Sequence, residues 1–147
     1  MSAQTIAQRL DVIYQGEPWF GESLQTKLKN VSEESAFKQP VNNKHSIAEI
    51  LSHMEYWRKR FALEVQGQTP PEFSETENWP EVSDLKKRGW KKLQASFEET
   101  HHELVGLLKK SNDKQLSAEL INNLNGMVDH DVYHLGQIGI VKSLVNK

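Results

Sequence analysis

Three histidines have the types and spacing that a definite chemistry needs. His130 and His134 stand four residues apart, so on a helix they lie one turn apart on the same face. Imidazoles in that relation can converge on one metal ion. Met127, Ile138, Val141 and Val145 fall on the same side of the wheel, which makes that face the inner one. His53 lies in an earlier segment, three residues after Ile50 and four before Trp57, at the edge of an apolar stripe. Two ligands from one helix and one from another form a facial set that leaves coordination positions free, as catalytic sites do. The chemistry would be activation of a water or thiol near neutral pH. A lone histidine pair at this spacing is more often packed and hydrogen-bonded. Burying two imidazoles on an apolar face nevertheless costs free energy unless partners satisfy them. The third histidine brings the two readings level, and the residues alone leave both open.

The remaining polar and aromatic residues get plainer expectations. Asp131 and Gln137 are placed to orient an imidazole, Asp131 equally to sit at the surface. His45 leads into a helix, and His101 and His102 belong to a polar patch of which only one member can face inward. Arg58 and Glu55 flank the apolar stripe; they could hold an anionic substrate, but solvated surface is the expectation. Tyr133 turns away from the two histidines and reads as packing. Trp19, Trp57 and Trp79 read as core, or else as walls of a pocket. Gly136 and Gly139 suggest close approach of another helix, since a mid-helix glycine otherwise costs up to about 1 kcal/mol.

Four helical segments must position these groups. The first spans about residues 3–15 and is broken by Gly16-Glu17-Pro18, after which a short helical stretch covers 23–28. The second opens on the capping box Ser46-Ile47-Ala48-Glu49 and carries Ile47, Ile50, Leu51, Met54, Trp57, Phe61 and Val65 before Gly67 and Pro70-Pro71 end it. Residues 66–80 read as a polar loop long enough to serve as a cover. A third helix is expected over 82–110, and a fourth from 116 or 121 to 144. No strand alternation is evident, so the fold class is all-α, a four-helix bundle, with residues 1–147 as a single domain.

Composition narrows the function. Eighteen basic and twenty acidic residues give a net charge of -2 at pH 7 without a concentrated basic patch, so no nucleic-acid partner is expected. The chain has no cysteine: it offers neither a disulfide nor a thiol nucleophile, and any thiol chemistry must use an external thiol. No apolar run is long enough to span a membrane and the first ten residues lack a secretory apolar core, so a cytoplasmic location is expected.

The chain also resembles a known family. Ser46-Ile47-Ala48-Glu49-Ile50-Leu51-Ser52-His53 followed by Trp57, and His130-Asp131-Val132-Tyr133-His134-Leu135-Gly136-Gln137-Ile138, are similar to the conserved blocks of the DinB-like, or YfiT-like, proteins. Weaker echoes lie in Pro18-Trp19, Trp79-Pro80 and Trp90. The resemblance implies a bundle in up-down-down-up order and a divalent metal, nickel or zinc, held by His53, His130 and His134. It further implies a small-molecule substrate, with a low-molecular-weight thiol as co-substrate of a transferase, or else hydrolysis, and pairing into a homodimer. The balance leans towards an enzyme; the alternative is a non-catalytic bundle that binds a metal or ligand in a stress response.

Overall fold

In the computed structural model, residues 2–146 are described. They form α1 (Ala3–Gln15), α2 (Leu24–Leu28), α3 (Glu33–Phe37), α4 (Ile47–Val65), α5 (Glu75–Asn78), α6 (Val82–Arg88), α7 (Trp90–Lys110), a 3-10 turn (Asp113–Gln115) and α8 (Ala118–Val145), with no strand among them. A recurrent local device starts these helices. Ser2, Ser23, Ser32, Ser46, Ser74 and Ser117 are each an N-cap whose hydroxyl accepts from the amide three residues on. At Ser46 the box is complete, because the Glu49 carboxylate accepts in return from the Ser46 amide at 3.0 Å.

The four long helices α1, α4, α7 and α8 make the body. α1 packs on α7 and α8, and α4 packs on the same two. Their inward positions are filled by Ile6, Leu10, Ile50, Leu51, Met54, Leu93, Phe97, Leu104, Val128 and Ile138, all fully buried or nearly so. Fixed helical periodicity explains why this core follows the expected stripes. On α8 the four apolar residues that mark the inner face, Met127, Ile138, Val141 and Val145, are buried. On α4 the stripe is buried through Met54, whereas Trp57, Phe61 and Val65 are only half-buried.

Two differences from the expected elements matter. The helix expected over 82–110 is two helices, divided at Gly89, whose φ of 92° and ψ of 144° lie where side chains are strongly disfavoured. The break turns Trp90 inward. Its indole N–H donates to the Val31 carbonyl at 3.1 Å, and its amide donates to Glu33 at 3.3 Å. The second difference is α3, a short helix with no strong periodic signature. It buries Ala36 and Phe37 and packs on α4 and α7.

The segment between α4 and α6 is a strap laid along α4. Arg60 donates to the Pro71 carbonyl at 2.7 Å, the Ser74 amide donates to the Tyr56 hydroxyl at 3.1 Å, and α5 follows. Its last residues, Asn78 and Trp79, reach the histidine of α4.

Candidate metal centre

α4 contributes His53, one face of α8 contributes His130 and His134, and the three rings meet. The Nε2 atom of His130 is 3.0 Å from that of His53 and 3.1 Å from that of His134. One ligand atom from each residue lies within 4.8 Å of the others, the one such group found among the described residues. His53 and His134 are buried and His130 is half-buried.

The outer nitrogens settle which way the rings present themselves. His53 Nδ1–H donates to the Asn78 side-chain oxygen at 2.7 Å, with the Asn78 backbone carbonyl a further acceptor at 3.3 Å. His134 Nδ1–H donates to Gln137 Oε1 at 2.8 Å. With the protons held at Nδ1, the Nε2 lone pairs of His53 and His134 point into the shared space. His130 Nε2 can carry one proton and serve one neighbour, so one of the two close contacts sets lone pair against lone pair. Additional protons are not the remedy at neutral pH. Burial, then repulsion from the other two histidines, lowers the His53 pKa to about 4; burial, then His134 and Arg58, lowers that of His130 to about 4. His134 is also lowered, chiefly by burial. Three neutral nitrogen donors converging at one point, with their other nitrogens already bonded, fit a divalent cation and leave further coordination positions for exogenous ligands.

Trp79 closes one side. Its ring stacks on His53 at 3.9 Å with 8° between planes, and equally on His45. His45 Nδ1 is in turn 2.8 Å from Glu49, so the residue that leads into α4 also braces this wall. Asn78 is the site residue that sequence reasoning missed. Its only signal is its place in a polar loop, beside a tryptophan and a proline.

Several expectations need correction. Arg58 and Glu55 are not solvated surface: they are 1% and 2% exposed. Arg58 donates to both oxygens of Asp131, at 2.9 and 2.5 Å, so the Asp131 carboxylate is engaged by α4. Glu55 accepts from Arg88 at 3.0 and 3.1 Å and from the Ser96 hydroxyl. His101 is the inward member of its pair, fully buried, with Nε2 3.1 Å from Asp11 and Nδ1 facing Arg58. Tyr133 does turn away but is not packing, being 68% exposed, and Trp19 is fully exposed, so neither core nor pocket wall. A Cβ at Gly136 would meet nothing within 4 Å, and at Gly139 the close neighbour is the Lys27 side chain of α2 rather than a helix backbone.

The family model of the DinB superfamily matches residues 21–138, a stretch that holds all three histidines, Asn78 and Gln137. Comparison with curated proteins and with solved structures gives no match. No helix among the described residues is long and apolar enough to cross a membrane.

Proposed function

The chain belongs to the DinB superfamily, and from that premise we propose that it is a divalent-metal-dependent enzyme acting on a small molecule, as a thiol S-transferase or a hydrolase. The observation that carries the reading is the convergence of three Nε2 atoms from two helices while amide oxygens occupy the Nδ1 positions of two of them. Bound there, nickel or zinc supplies Lewis acidity and draws the pKa of a water or thiol towards neutrality. The protein's own residues do the rest. His53, His130 and His134 would hold the ion, Asn78 and Gln137 fix two of the rings, and Trp79 covers a flank of His53. Because the chain has no cysteine, a thiol must come from a second small molecule.

The up-down-down-up order belongs to this reading. The start of α1 lies beside the α7–α8 connection, where the Ala3 amide donates to Asp113 at 2.8 Å. α4 and α7 advance together, Glu55 meeting Ser96 and Arg58 meeting His101. Parallel neighbours oblige the chain to return along the bundle between them, and the strap makes that return past the histidines. A homodimer in the cytoplasm completes the proposal; exposed Tyr133, Ile140 and Leu144 on α8 are the apolar surface that supports pairing.

Metal analysis of purified protein by mass spectrometry, paired with a thiol-and-electrophile activity screen, tests the reading. The wild type is expected to carry one divalent ion per chain and to turn over a substrate that the metal-stripped protein does not. His134→Ala is expected to lose at least tenfold in metal affinity. Equal metal content in wild type and variant would overturn the metal assignment. Metal without turnover across the panel would favour a non-catalytic binding role.

A further inference from the structure

The molecule buries an ion pair whose position is difficult to explain by stability. Arg58 on α4 and Asp131 on α8 are 1% and 0% exposed, and the guanidinium grips the carboxylate through both oxygens. Removing two charges from water costs several kcal/mol per ion by general experience, and apolar replacements of like volume are often neutral or stabilising. The pair joins the same two helices that supply the metal ligands. Arg58 lies five residues beyond His53, and Asp131 lies between His130 and His134. Arg58 is itself immobilised: Phe97 of α7 lies under its guanidinium at 4.6 Å, and His101 Nδ1, turned by the Nε2 contact with Asp11 of α1, accepts from it at 3.4 Å. All four long helices are therefore referenced to one bidentate contact.

Such a contact specifies register. A helix displaced by one residue moves about 1.5 Å along its axis and turns about 100°, and Nε2 atoms 3 Å apart would not survive that change. An apolar contact between α4 and α8 tolerates sliding far better than a planar fork on a carboxylate does. We propose that Arg58 and Asp131 are positioning residues that lock α4 against α8, so that His53 meets His130 and His134 in ligating geometry. This inference rests on the metal reading above. It assigns Asp131 a role exercised through a partner helix rather than through an imidazole.

The test compares the wild type with Arg58→Met/Asp131→Leu, which replaces the pair by apolar residues. Thermal unfolding of the metal-free proteins is measured beside Co2+ titration followed by absorption spectroscopy. The expected result is a folded variant with a metal-free Tm equal to or above that of the wild type. Its Co2+ affinity should fall roughly tenfold to a hundredfold, the range for lost ligand support, and its visible bands should be altered. Unchanged affinity and spectrum in the folded fraction overturn the proposal, including where Tm falls, because the pair would then serve stability alone. Should the double variant not fold, Arg58→Lys keeps a compensated charge opposite Asp131 while losing the bidentate fork, and the same two outcomes decide. A wild type that binds no Co2+ sinks the metal reading itself, a failure visible before any variant is made.

Discussion

At the scale of single residues, the quality of the site depends on which nitrogen of each histidine is protonated. Asn78 holds the Nδ1 proton of His53. Asn78→Ala is therefore expected to weaken metal binding by roughly tenfold to a hundredfold while leaving the bundle folded, as competition against a chromophoric chelator will show. The same burial makes the metal-free protein acid-sensitive. His53 and His130 are held at about 4, and His101 is lowered mainly by burial and by Arg58. Their unfolded forms take up protons near pH 6.5. The unfolded chain thus binds more protons between those values, and stability falls as pH drops from about 6.5 towards 4. Tm of metal-stripped protein should decline steadily across that window; a flat profile would contradict the burial of neutral imidazoles. The residues most legible in the sequence are those with a short-range signature. Three histidines on inward helical faces can be placed by periodicity, and Gln137 three residues after His134 follows from the same geometry. Asn78 cannot be found that way, because it meets His53 across 25 positions through a loop whose path no local pattern specifies.

At the scale of elements, capping chemistry and backbone conformation explain both what was visible and what was hidden. Ser46-to-Glu49 announces α4, and α4 begins there. By contrast, Leu85, Trp90, Leu93 and Phe97 read as one helix although the step from Leu85 to Trp90 is five residues, and that small irregularity at Gly89 hardly betrays a break. That break is a backbone event: its signal is one glycine, and a helix interior can also hold one. Gly89→Ala is expected to destabilise the protein by about 1–3 kcal/mol, because the conformation there disfavours a side chain although the space around it is open. Urea denaturation measures this, and a neutral result would mean that α6 and α7 can run on as one helix. Arg58 and Glu55 illustrate a second limit. Long charged side chains beside an apolar stripe default to water, and only partners from other helices reverse that. Asp131 and Arg88 lie 73 and 33 positions from theirs.

At the scale of the whole molecule, ligand binding and folding are linked. The ion would be held between α4 and α8, so it binds the folded chain and not the unfolded one. At a free metal concentration one hundred times Kd, linkage adds about 2.7 kcal/mol. A Tm that rises with added zinc or nickel and returns on chelation is the expected outcome, and no shift would place the ion elsewhere or nowhere. The strap has a different standing from the bundle around it. It is tied to α4 through Arg60 and Tyr56, rests Phe73 on Tyr56 and Trp57, and delivers Asn78 and Trp79 to the histidines, with Trp79 packed against the edge of the core. Residues 66–77 are largely exposed, so substitutions there can shift how Asn78 and Trp79 are presented to the histidines while the helices keep their packing. The three histidines belong to the helices that carry the core, but the wall beside them is written in a separate stretch, which can vary at less expense to the fold.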